Sequence, residues 1–494
     1  MVTAPDSQSD PANAAPGGTP PRKSASLGTI FRYALGEGGM SICMNGMSNF
    51  GMIYMTQILG LNPAWAALSI SIASLYDAIT DPLMGHISDN TRSRWGRRHP
   101  YLLVGGILAG LAFLAFWTLP PLLGTAGAIF AAVLCINLLI RTATTIFGVP
   151  YAALGFEICP EYETRARLQG VRFFVSQVVN FTFGALAWSL FFHDQMAQDG
   201  TRIDGSLIAS NYIVMAAVLA TFVAVLTSLS CFGTARYAID DRNAKVYGNS
   251  LREFWIDFSS IFKDRLAVHV FVFMIVAGFS MMLMGTIQMY TYIFYMEFAP
   301  GEKTFVHGGG MLAFAFASLS LSRVVKRFDK KPAAYLGISV AVFGGVGLFA
   351  VFSGGLLRPG QELLVFGQAI PIATIVFAVL QMCWWGGCGL VVPLASSMVA
   401  DVAAISQART GELRNASYAA VFSFSNKAAG SLGILICGML VSAAGIVAGA
   451  TQQTPEAEHN IAMLTFLAGP AVMLGALFLL RAYPVTRETM RAID

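Results

Sequence analysis

After a polar N-terminal stretch, long apolar runs alternate with short polar breaks along the whole chain. Runs long enough to span a bilayer occur at 30–56, 64–87, 100–120, 126–154, 170–192 and 208–232. Six more occur at 267–297, 306–325, 333–354, 366–399, 416–448 and 461–481. A transmembrane helix needs roughly 20 apolar residues, which these runs supply. The pattern predicts an all-α membrane protein of twelve transmembrane helices in two six-helix halves, 27–232 and 267–482. Between the halves, 233–266 reads as a cytoplasmic linker. Leu251, Phe254, Phe258 and Ile261 recur there at helical spacing, which predicts an amphipathic helix lying in the interface. Residues 1–26 and 483–494 read as cytoplasmic tails. The first is Pro-, Gly- and Ser-rich, with too few large apolar groups to order itself and no apolar core of a secretory signal.

Composition agrees with lipid as the solvent. Charged residues are 12% of the 494-residue chain and hydrophobic residues 55%, too little polar surface to clothe a soluble globule of this size. The net charge of +4 is small; its placement matters more. Basic residues gather in TRSRWGRRHP (91–100), in SRVVKRFDKKP (322–332) and in the loops after spans 4 and 10. All fall on one side if both termini are cytoplasmic in a cell inner membrane. A basic loop follows the second span of each half, a weak internal repeat of the kind that paired-half transporters carry. No contiguous basic face predicts a nucleic-acid partner. The seven cysteines lack metal-ligand spacing and read as packing residues. No phosphate-binding Gly-rich loop or enzyme motif stands out, so neither direct ATP drive nor catalysis is expected, and no cofactor beyond a coupling ion.

Ionisable side chains at membrane depth are costly and face a cavity or one another. Asp77 and Asp81 are four residues apart on span 2, hence on one helix face. Two carboxylates so close repel unless a cation or proton lies between them. They are the expected cation site, with Thr80 as an added ligand and Na⁺ at Asp77 and Asp81 as the only metal expected; the alternative is a structural pair neutralised by a buried base. Arg141, Thr145 and Gly148 share a face of span 4. Arg141 either binds an anionic group of the substrate or pairs with Asp77, Asp81 or Glu37. Arg172 begins span 5 above Ser176 and Asn180, as a substrate ligand or a snorkelling cation. Lys427 is deep in an apolar helix, and the Asp77–Asp81 pair is its obvious partner. On span 1, Glu37, Ser41, Asn45 and Ser48 line one face; on span 7, Gln288, Thr291, Tyr292 and Tyr295 are either cavity wall or helix-packing contacts. Trp384 and Trp385 allow ring stacking, although packing is the commoner use. Asp401 completes the set of intramembrane charges. Asp89 with Arg97 or Arg98, together with Glu157, Glu161, Glu163, Arg165 and Arg167, fit cytoplasmic gating ion pairs.

The run DAITDPLMGHISDNTRSRWGRRHP (77–100) closely resembles the signature of the glycoside–pentoside–hexuronide:cation symporters, the melibiose-carrier group of the major facilitator superfamily. The resemblance extends to VPYAALGFEICPEYETRARLQGVRFF (149–174), MVAD (398–401) and SNKAAGS (425–431), so it touches both halves. It implies the twelve-helix facilitator fold and cation-coupled uptake by alternating access. It makes Asp77, Asp81 and Thr145 resemble the cation ligands, Lys427 the lysine beside them, and Arg172 an arginine of the sugar site. There are departures. Thr80 stands where sodium-using melibiose carriers have an amide, leaving Na⁺ and H⁺ both open as the coupling ion. Gly148 replaces a sugar-binding aspartate, Ala152 a stacking tryptophan, and span 1 offers only Glu37 or Asn45. This points away from melibiose and toward another glycoside or a uronide, with a lysolipid or other organic anion as the alternative. A monomer working with solute, coupling cation and lipid is the expectation.

Overall fold

The computed structural model describes residues 25–159, 162–198, 200–237, 259, 261–365, 368–410, 415–481, 483 and 485. The predicted amphipathic helix and both predicted tails fall almost wholly outside these residues, as do Glu161 and the side chains of Glu163 and Arg165. Among the described residues, twelve long helices form the body. In the first half they are α1 (Leu27–Ile53), α2 (Pro63–Asn90), α3 (His99–Thr118), α4 (Ala126–Ile158), α5 (Tyr162–Asn180) and α6 (Ala209–Thr234). In the second they are α7 (Arg265–Tyr290), α8 (Pro300–Phe328), α9 (Lys330–Leu348), α10 (Ile372–Thr410), α11 (Asn415–Ala443) and α12 (Pro455–Arg481).

Local chemistry sets several of these boundaries. The Ser26, Asn62 and Thr125 side chains accept from the first-turn N–H groups of α1, α2 and α4, and Asp264 does the same for α7. Pro63 follows Asn62 in the first turn of α2, where its missing donor costs nothing. α1, α5, α7 and α9 each run into a five-residue π-helical turn at the same end of the molecule. Two small antiparallel hairpins close loops at that end: β1 (Gln195–Met196) with β2 (Arg202–Ile203), and β3 (Leu363–Val365) with β4 (Gln368–Ile370). It is called the hairpin end below, and the opposite end, with TRSRWGRRHP and KRFDKKP, the basic end.

Helices pack closely where glycine removes the side chain. A Cβ on Gly387 of α10 would sit 2.3 Å from the Gly337 carbonyl oxygen of α9 and 2.5 Å from the Ala341 nitrogen. Such small-residue contacts are how helices approach in lipid. Outward faces carry exposed Leu111, Phe316, Phe343 and Phe478, surface that suits hydrocarbon. Nine helices among the described residues are long and apolar enough to cross a membrane by length and composition. The long helices outside that set are α1, α2 and α5, which carry Glu37, Asp77, Asp81 and Arg172.

The repeat seen in the loops has a structural counterpart. In the first half, Arg98 after α2 pairs with Glu157 at the end of α4, 3.2 Å apart. In the second, Lys330 after α8 pairs with Asp401 on α10, at 2.6 Å.

Candidate functional site

α2 and α4 lie side by side, and their facing residues converge at mid-depth. The Thr145 hydroxyl of α4 is 2.7 Å from Asp77 Oδ1 and 3.0 Å from Asp81 Oδ1. Its single proton serves only one of them. Across the gap between the halves, Lys427 Nζ on α11 is 2.8 Å from Asp77 Oδ2 and also ion-pairs with Asp81. Arg141 Nη1 stands 3.8 Å from Asp77 Oδ2. Four charged groups from three helices thus share one site, with formal charges that cancel. Thr80 donates to the Tyr76 and Asp77 carbonyls of its own helix; its oxygen lone pairs are what remains for an ion.

Next to the cluster is a cavity of about 270 Å³ lined by residues of α1, α2, α4, α7 and α11. Arg141 and Lys427 form part of its wall. Ser48 of the span 1 stripe lines it too, whereas Glu37, Asn45, Gly148 and Arg172 do not. Arg172 is held by Glu37, with Nη2 2.5 Å and Nε 3.0 Å from Oε2, and its guanidinium is 5.1 Å from the Tyr151 ring centroid. It is therefore a paired cation of the first half. Asn45 donates to Asn180 at 2.6 Å, while Ser41 and Ser176 hydroxyls are 2.8 Å apart, zipping α1 to α5. Gly148 has open space where a side chain would point.

In the polar stripe of span 7, Gln288, Thr291 and Tyr292 serve helix packing, while Tyr295 is half-buried. Gln288 is buried against Gln381, Thr291 bonds Thr465 at 2.7 Å, and Tyr292 is fully buried. Trp384 is fully buried as well.

The arginine pairs expected as gates do form. Arg97 Nη2 is 2.7 Å from Glu157 Oε1, and Arg98 Nη2 is 2.5 Å from Asp89 Oδ1. Both carboxylates belong to the same half as the arginines, so these pairs brace one half. Among the described residues, contacts joining the halves run from mid-depth to the hairpin end. Ser71 and Ser431 hydroxyls are 2.8 Å apart, as are those of Thr56 and Tyr290. At the extremity, Lys303 of α8 is buried in an ion pair with Asp204 of the first half and lies 5.1 Å from the Trp188 ring centroid. Arg202 adds bonds of 3.1 Å to the Glu297 and Phe298 carbonyls. Burial by itself would raise the Asp204 carboxyl, but the Lys303 ammonium and bonds from Ser206 hold it below its ordinary value. Sequence reading missed this lock. Its signal was an isolated Lys303 on the side where positive charge is scarce.

A charged site at mid-depth, walled by helices of both halves and closed at one end, is the plan of an alternating-access membrane transporter. The family model for MFS/sugar transport proteins matches residues 32–487, and the chain belongs to that family. The putative glycoside/cation symporter YagG of Escherichia coli is 25% identical, covering 94% of this chain and 93% of its own. The sodium-dependent lysophosphatidylcholine symporter 1-A of Danio rerio is 21% identical, covering 92% and 85%. Among solved structures, the nucleoside transporter NupG superposes with a TM-score of 0.61 at 12% identity, over 92% of this chain and 99% of that one. The protein is a multi-pass membrane protein of the major facilitator fold.

Proposed function

We propose that the protein is a cation-coupled symporter that imports a small solute by alternating access. The observation that carries this reading is the cluster of Asp77, Asp81, Thr145 and Lys427, which unites a cation site on one half with a charge from the other. Two carboxylates and a hydroxyl suit Na⁺, and either carboxylate suits H⁺. Lys427 occupies the space a coupling cation would take, so cation and lysine compete. A cation between the carboxylates releases α11 from α2 and changes how the halves attract each other. Coupling requires cation and solute together to favour closure over the cavity more than either does alone.

In this reading the protein lies in a cell inner membrane with the basic end cytoplasmic. The halves, 27–232 and 267–482, then rock about the site, and the Asp204–Lys303 lock seals the outer face. The likeness to the putative glycoside/cation symporter YagG favours a glycoside as solute. The apolar cavity lining favours the second reading, a non-sugar amphiphile.

The test is uptake into proteoliposomes under an imposed Na⁺ or H⁺ gradient. Wild type should accumulate its solute under one of the two gradients, and Asp81→Asn should remain folded but lose accumulation. Concentrative uptake by Asp81→Asn at the wild-type level would remove the cation site from this cluster.

A further inference from the structure

We infer that the mid-depth cavity selects a monoanion with an apolar body, a solute with one carboxylate- or phosphate-type group and few hydroxyls. This deepens the symport reading and rests on it. Three observations carry it.

The first is the lining. Apolar atoms supply most of the cavity surface, through Met44, Met47, Met52, Ile70, Ile140 and Met282. No aromatic ring is among the lining residues that are described. Ser48, Ser74, Asn137, Thr286 and Asn426 also reach the lining and can serve a few hydroxyl groups. A polyhydroxylated sugar enclosed here would leave the rest facing thioethers and aliphatic carbons, each one a desolvated and unpaired polar group. Methionine is polarisable and unbranched, so it accommodates apolar bodies of varied shape.

The second is Arg141. Its guanidinium has five donors, yet its described contacts are a weak one to Met44 Sδ at 3.5 Å and the long ion pair to Asp77 at 3.8 Å. The side chain is a quarter exposed, on the cavity wall. A fork of donors aimed into an apolar cavity with so little to bind fits a planar or tetrahedral oxyanion.

The third is the charge count. Empty, the cluster holds Asp77, Asp81, Arg141 and Lys427 and is neutral. Adding a coupling cation leaves one unit of positive charge at membrane depth, with the Lys427 ammonium displaced from its carboxylates. Uncompensated charge there is costly. A monoanionic solute restores neutrality, whereas a neutral glycoside leaves the excess in place. The same balance makes binding of the two ligands cooperative: the cation frees the group that the anion needs.

The experiment measures binding to the purified chain in lipid nanodiscs with four probes: 4-phenylbutyrate, 4-phenylbutanol, glucuronate and methyl β-galactoside. The first should bind at least about tenfold more tightly than the other three, more so with Na⁺ or at lower pH. Arg141→Gln should abolish the preference for the acid over the alcohol, and Arg141→Lys should keep part of it; thermal unfolding confirms that both variants fold. Tighter binding of either sugar probe, or an acid preference untouched by Arg141→Gln, would overturn the inference. Gradient-driven uptake separates it from the symport reading. Accumulation of methyl β-galactoside without binding of 4-phenylbutyrate would end the inference and leave symport standing. Binding of 4-phenylbutyrate that no gradient drives inward would support the cavity assignment and end symport.

Discussion

Removing the charge of Lys303 should open the hairpin end. The Lys303 side chain is 1% exposed and that of Asp204 11%, so Lys303→Met strands a buried carboxylate. Breaking a buried pair from one side costs about 3–5 kcal/mol. The lower value applies here, because Asp204 Oδ1 retains the Ser206 N–H at 2.9 Å and the Ser206 hydroxyl. That penalty exists only while the halves are closed, since an opened end hydrates Asp204. A loss of about 3 kcal/mol therefore lowers the closed-to-open ratio by about a hundredfold. Spin labels on Gln195 and Gln452, exposed residues at this end on opposite halves, report the change by electron–electron dipolar distances. Cys135 and Cys383, the cysteines that are not buried, are replaced beforehand. The distance distribution should lengthen in Lys303→Met and return most of the way in Lys303→Met/Asp204→Asn, where no charge is stranded. An unchanged distribution in the single variant would refute the lock. The pH dependence follows from the sign of the Asp204 shift. Its carboxyl is held below the ordinary value of 3.8 in the closed state, so the closing contribution is complete above that value and fades as pH falls through the lowered one. On the acid side the distribution should thus stay flat down to about pH 5.

Other perturbations test separate parts. Thr145→Ala removes the hydroxyl shared by Asp77 and Asp81 and should weaken the apparent cation affinity by about tenfold, read as the cation concentration for half-maximal uptake. Glu157→Gln removes the carboxylate shared by Arg97 and Arg98 and should lower stability by about 1–3 kcal/mol, read by thermal unfolding. A Cβ on Gly438 of α11 would lie 2.3 Å from Ala67 Cβ and 2.4 Å from the Pro63 carbonyl oxygen of α2. Gly438→Leu should therefore pry the halves apart and lengthen the Gln195–Gln452 distance as Lys303→Met does.

The architecture was largely legible because bilayer thickness fixes span length and backbone satisfaction demands helix. The apolar windows recovered all twelve helices but misplaced several ends. Span 10, expected from 366, begins at Ile372 because β4 takes 368–370, and it continues to Thr410 beyond the apolar window. Within the site, spacing found what lies on one helix or pairs uniquely: Asp77 with Asp81, and Lys427 with both. It did not find which polar stripe faces the cavity. Asn45 and Ser48 share one stripe of α1, yet only Ser48 lines it, and Asn137 lines it while Gln288 does not. Helix rotation decides that, and rotation is set by packing partners that spacing does not encode. The Asp204–Lys303 lock joins a loop to the first turn of α8, 99 residues apart in the chain, and no local pattern links them.

The three long helices that fail the apolarity test explain how site and fold are balanced. α1, α2 and α5 carry Glu37, Asp77, Asp81 and Arg172, and each of those charges is met within the protein: Glu37 by Arg172, and both aspartates by Lys427. The Glu37–Arg172 pair lies inside one half and is indifferent to rocking. The aspartates are met from the other half, so their neutralisation depends on how the halves sit. A cation that takes over the role of Lys427 makes the carboxylates independent of α11, and Arg141 and Lys427 are then the charges left to satisfy. The same residues that make α2 a poor membrane span by composition are therefore the ones whose charge balance changes with conformation. Asp81→Asn should reveal this separately from transport: with one carboxylate gone, the pull of Lys427 across the gap weakens, and the halves should separate at mid-depth even without a coupling ion. Distances that still respond to Na⁺ or H⁺ as in wild type would mean that the ion acts elsewhere.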